Sequence, residues 1–109
     1  MKKIQGQARL AVFWVLKNPD DESAMKSLVT ALDEQFTIPG VLTLDHGPRA
    51  LAVDWEGPKK AFNYGMVMTF DSFESGRAWV PHPIHQKLVQ TIMHLGSTAS
   101  DFHAFWIGD

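Results

Sequence analysis

The sequence predicts an α+β fold, with one antiparallel sheet carrying helices on one of its faces. Three observations lead there. Apolar residues make up 45% and charged residues 20% of the 109 positions, which supports a packed core and argues against disorder. Four short runs are apolar in the manner of strands, and the stretches between them carry apolar residues at helical spacing. In chain order these read strand, helix, strand, strand, helix, strand, the order of a split β-α-β unit. The length fits one domain over residues 1–109.

The first strand covers residues 8–16. Leu10, Val12, Trp14 and Leu16 alternate there with Ala11, Phe13 and Val15. Both sets are apolar, so both faces of this strand need cover. The Trp14 set is assigned to the face turned away from the helices. Asn18 and Pro19 then open a helix, as cap and first helical residue, and Asp20, Asp21 and Glu22 complement its dipole. Met25, Leu28, Val29, Leu32 and Phe36 make one apolar stripe, which Pro39-Gly40 ends.

Residues 41–46 read as a strand, with Leu42, Leu44 and His46 opposite Val41, Thr43 and Asp45. Prolines, glycines and charges over residues 47–60 mark a long loop, in which Trp55 needs cover and Lys59-Lys60 is a solvated pair. A third strand spans residues 62–70, with Tyr64, Met66, Met68 and Phe70 on one face. Ser72 caps a short helix that runs to Trp79. Pro81 and Pro83 break it, and a further helical piece runs over residues 84–95 with Pro83 at its first position. Residues 102–107 form the last strand, apolar on both sides.

Written as β-α-β-β-α-β, this is the ferredoxin-like arrangement. Its two layers leave one sheet face uncovered, and here that face is apolar. A homodimer that buries sheet against sheet is the economical solution.

Composition removes several function classes. The chain has no cysteine, so disulfides, thiolate nucleophiles and Cys-based metal sites are excluded. Net charge is −2 and the ten Lys and Arg are scattered, so no nucleic-acid partner is expected. The longest apolar run, residues 10–16, falls short of the roughly 20 residues that span a bilayer. Lys2 and Lys3 ahead of it imitate a signal peptide, but Lys17-Asn18-Pro19-Asp20 follows where a cleavage site would sit. The run is read as a strand and the protein as cytoplasmic, without a membrane partner. No Gly-rich phosphate loop and no nucleophile motif occurs, and no cofactor is expected.

The candidate chemistry lies in His82 and His85. His82 precedes Pro83 at a helix cap position. His85 falls in the first turn and shares a stripe with Leu88, Val89 and Ile92. The dipole there disfavours imidazolium, and a neutral imidazole on an apolar face is a candidate base near pH 7. The plainer reading is that both histidines lock the Pro-x-Pro connection by hydrogen bonds. A His-x-x-His pair alone does not fill a coordination shell, so no metal is assigned. Phe13, Tyr64, Trp79, Phe105 and Trp106 are candidates to line a pocket between sheet and helices, suited to a flat apolar ligand, or else to pack as plain core. His46 and His103 are read as structural or surface groups.

The stretch from Phe70-Asp71-Ser72 to Leu88, FDSFESGRAWVPHPIHQKL, together with Ile38-Pro39-Gly40-Val41 and Asn63-Tyr64, resembles the stress-responsive dimeric α+β barrel (Dabb) family over residues 8–107. The resemblance implies a ferredoxin-like monomer and a homodimer whose two sheets form a barrel. It implies no single reaction. In the plant polyketide cyclases of this family, a histidine matching His85 is the general base of an intramolecular aldol condensation. Its tyrosine partner matches Trp79, and further polar residues match Arg9 and Tyr64. Here Trp79 offers one N–H donor and no phenol, and Arg9 replaces a neutral imidazole with a fixed cation. Plant members also hold a cation on backbone carbonyls at positions matching Gln35, Ile38 and Val41.

Three functions follow as expectations. The first is a homodimeric stress-related protein that binds an apolar or aromatic small molecule near His85, with Arg9, Phe13, Tyr64, Trp79 and His82 as ligand-binding candidates. The second is a cofactor-free lyase, cyclase or monooxygenase-like enzyme with His85 as base. The third is a structural or partner-binding dimer.

Overall fold

The computed structural model describes residues 6–52 and 62–108. Four strands, β1 (Ala8–Trp14), β2 (Val41–Pro48), β3 (Tyr64–Phe70) and β4 (Phe102–Ile107), form one antiparallel sheet in the order β2-β3-β1-β4. Helices α1 (Glu22–Asp33), α2 (Phe73–Trp79) and α3 (Pro83–His94) complete the ferredoxin-like α+β fold. Trp55, Lys59 and Lys60 lie outside the described residues.

The faces of β1 are the reverse of the sequence assignment. Leu10, Val12 and Trp14 point toward the helices and join Leu28, Leu88 and Ile92 in the core. Trp14 has no exposed surface within a single chain. The physical reason lies in the opposite set, Arg9, Ala11 and Phe13. A set that carries a guanidinium and a small Ala cannot fill the space under two helices, whereas three large apolar groups can. Register carries the same choice across the sheet, so Tyr64, Met66, Met68 and Phe70 share the core face.

The element ends differ from expectation for local reasons. β1 stops at Trp14 because the Asn63 amide takes over the backbone of Leu16, accepting from its N–H at 2.7 Å and donating to its carbonyl at 2.9 Å. Helix α1 begins three residues later than Asn18-Pro19 predicts. Asp21 is the cap, and its carboxylate accepts from the Ala24 N–H at 3.0 Å. Leu28 and Leu32 are buried as predicted, but Val29 and Phe36 stay substantially exposed, and Ala24 and Ala31 are buried instead.

β2 runs to Pro48, so the long loop starts later than position 47. A bulge between Val41 and Thr43 makes Leu42 the extra residue and leaves it exposed, while Val41 packs on the core. Gly40 precedes it at φ +92, in the left-handed region, where any side chain would also strike Ser75. Ser72 and His82 cap α2 and α3 as predicted.

Candidate functional site

Between α3 and the core face of β1 and β4 lies a cavity of about 220 Å³. Val12 and Trp14 line it from the sheet, Trp79 and Val80 from the end of α2, and His85 and Leu88 from α3. Its walls are apolar and aromatic, and His85 is their one titratable group among the described residues. Trp106 of β4 closes one side, where α2 comes close. A Cβ at Gly76 would lie 2.8 Å from the Trp106 ring, so only glycine lets helix and indole approach this far.

The sharp turn between α2 and α3 sets His85. The Val80 carbonyl lies 2.7 Å from His85 Nδ1 and also accepts from the Gln86 side chain at 2.8 Å. A carbonyl only accepts, so Nδ1 carries the proton. In the neutral ring Nε2 is then the basic nitrogen. Burial pushes the His85 pKa below the ordinary histidine value, against the smaller opposite pull of the Val80 carbonyl. Trp79 packs against this imidazole, tilted by 33°, with ring centroids 3.8 Å apart.

Trp79 is in turn fixed by a residue that sequence reasoning missed in this role. Gln35 is fully buried and accepts from the Trp79 indole N–H at 2.9 Å. Its amide nitrogen donates to the Ala31 carbonyl at 2.8 Å and to the Ile84 carbonyl at 3.2 Å. One side chain thus ties down Trp79 and the backbone beside His85 together. The signal was present in the sequence: Leu28, Leu32 and Gln35 share one helical stripe, and a polar group there must be satisfied internally.

The remaining candidates divide. His82 is a cap, its Nδ1 accepting from the Ile84 N–H at 3.1 Å. Tyr64 stacks on Trp14 at 5.3 Å behind the cavity wall, with its hydroxyl 2.9 Å from His46 Nδ1. Burial, and next the Asp33 charge, raise the Tyr64 pKa, so its phenol stays neutral. Arg9 and Phe13 do not reach the cavity. They lie on the outer sheet face, where Arg9 Nε donates to Thr69 at 3.3 Å and Phe13 sits by Phe62. Phe105 shares that face, so the five-aromatic pocket expected from sequence keeps only Trp79 and Trp106. His46 is half-buried against Tyr64, and His103 is exposed on the outer face.

No group of three or more potential metal-binding His, Cys, Asp or Glu side chains occurs among the described residues. Of the three carbonyls matched to a cation site, those of Gln35 and Ile38 accept backbone N–H groups within the turn. No helix among the described residues is long and apolar enough to cross a membrane.

The family model described as Stress responsive A/B Barrel Domain matches residues 9–103. No curated protein matches the chain. Among solved structures, the chain is similar to a dimeric ferredoxin-like protein of unknown function from Jannaschia sp. CCS1, with 22% identity, TM-score 0.71, and coverage of 95% of this chain and 100% of that one. A second dimeric ferredoxin-like protein of unknown function, from Thermobifida fusca, has 18% identity, TM-score 0.74, and coverage of 100% and 97%. The hydroxynitrile lyase of Passiflora edulis has 13% identity, TM-score 0.73, and coverage of 94% and 93%. These likenesses are likenesses of fold.

Proposed function

We propose that this chain, which belongs to the stress-responsive A/B barrel domain family, is a homodimer that binds an apolar or aromatic small molecule in the His85 cavity. The observation that carries the reading is the cavity itself. It is small, apolar and aromatic, and among the described residues His85 is its one group able to accept a proton or a hydrogen bond near neutral pH. A structural or partner-binding dimer gives no reason to keep such a space open beside a packed Trp–His pair, because voids cost stability.

The dimer rests on the outer sheet face. Val67 and Phe105 flank Ala11 there in register, and both are substantially exposed in the single chain, as is Ile107. Contiguous apolar surface of this kind calls for cover. The similar proteins from Jannaschia and Thermobifida are described as dimeric. A cytoplasmic setting belongs to the same proposal; with no cysteine, the fold needs no oxidising compartment.

A second reading, cofactor-free enzyme, is favoured by one specific observation. The Val80 carbonyl fixes the tautomer of His85 and burial keeps the ring neutral, which leaves Nε2 as a candidate general base. That one similar fold is a hydroxynitrile lyase is compatible with this. The Tyr-based cyclase chemistry has no support here, because Trp79 supplies no phenol and its N–H is committed to Gln35.

Titration with a neutral bicyclic aromatic such as naphthaleneethanol tests the binding reading, followed by NMR at the indoles of Trp14 and Trp79. Saturable shifts in the wild type that vanish when His85→Phe fills the cavity are expected. Shifts that are absent, or unchanged in the variant, overturn it.

A further inference from the structure

Outside the cavity, on the helix-bearing side of the sheet, a groove of about 510 Å³ runs between α2 and the edge of β4. It is lined by Phe73, Glu74, Arg77, Val80 and Trp106. Val80 and Trp106 also line the inner cavity, so the two spaces are neighbours that share these side chains. The groove differs from the cavity in one respect: it carries charge. Arg77 makes no hydrogen bond or ion pair with any described residue, Glu74 included. A guanidinium with all its donors open beside an apolar opening is a receptor for a carboxylate or similar anion.

We infer that groove and cavity form one two-part site for a small amphipathic acid, whose apolar ring enters the cavity while its anionic group is held by Arg77. This rests on the cavity-binding reading above and names the ligand class. Glu74 does not cancel the attraction at the mouth. Arg77 lies one helical turn from Val80, about 4.5 Å along the axis, and Glu74 about twice as far. An anion at the mouth therefore meets the cation first. Phe73, Val80 and Trp106 border the contact but are themselves substantially exposed, so the pair stays solvated and its contribution is modest.

The test compares naphthaleneacetate with naphthaleneethanol, a pair close in shape that differs in charge, by calorimetry on the full chain. The acid binds the wild type about fivefold more tightly than the alcohol, and salt reduces the advantage. Arg77→Gln removes the advantage and leaves alcohol binding unchanged. Glu74→Gln increases it. Arg77 is exposed, so these variants retain the fold. Equal affinity of acid and alcohol for the wild type overturns the two-part site while leaving the cavity reading intact. An acid preference that survives Arg77→Gln overturns it as well. If neither compound binds, the cavity reading and this inference fall together.

Discussion

The Trp79 indole donates its N–H to the Gln35 side chain at 2.9 Å, across 44 positions of sequence and with both groups buried. This contact orders the site. Through it, the turn that follows α1 holds the ring against which His85 packs, and the same amide grips the Ile84 carbonyl next to His85. Replacement Gln35→Leu keeps the volume but orphans the indole donor and takes an extra donor from the Ala31 and Ile84 carbonyls. It should cost about 1–3 kcal/mol for the groups left unsatisfied. The NMR signature of the His85 ring should shift with it, and denaturant unfolding together with His85 chemical shifts checks both.

Trp14 gives a graded prediction. It is fully buried against the helices, and its indole N–H has no acceptor among the described residues. Trp14→Ala should cost about 3–5 kcal/mol as a large-to-small core change. Trp14→Phe should cost clearly less, because it keeps an aromatic ring and removes an unsatisfied donor. Both variants should leave the outer sheet face unaltered, so light scattering should give the wild-type mass for Trp14→Phe.

His85 predicts the direction of a pH effect. Its pKa is lowered in the folded chain, so below the ordinary value of about 6.5 the unfolded state binds more protons than the folded one. Stability from this group is therefore fully present above about pH 6.5 and is lost as pH falls through the folded pKa. Thermal melts from neutral to mildly acidic pH should decline, and His85→Gln should flatten that decline relative to wild type. An identical slope in both proteins contradicts the assignment.

The outer face predicts the assembly. Phe105 projects from β4 beside Ala11 and Val67, and about half of it is exposed in the single chain. Phe105→Glu should convert a dimer to a monomer, read as a halved mass in light scattering at micromolar concentration. Wild-type chain that scatters as a monomer would remove the proposed interface.

Element order, the caps of α2 and α3 and the grouping of Tyr64, Met66, Met68 and Phe70 on one face of β3 were legible in the sequence because each is a local property. Ser72 and His82 sit where capping chemistry puts them, and Tyr64 to Phe70 alternate cleanly. The face of β1 was not legible. When both alternating sets are apolar, periodicity carries no sign, and Trp14 could be placed only by what packs over it. The site was half legible for the same reason. His85 and Trp79 are six positions apart and show as one motif. Gln35 and Arg77 join them only through the fold, and Arg9 and Phe13 leave them because a strand sends neighbours to opposite sides. The bulge at Leu42 is likewise invisible to an alternation pattern.

The absent side chain at Gly76 separates two properties that binding sites usually combine. The clearance it leaves for Trp106 sets how closely that indole, which lines both groove and cavity, approaches α2, while Gly76 itself lines neither space. A methyl group there would push the indole and reshape both spaces, yet every charge and wall residue would keep its identity. The shape of the space beside the indole can thus change by backbone-to-ring packing alone, without altering the side chains of Arg77 and His85.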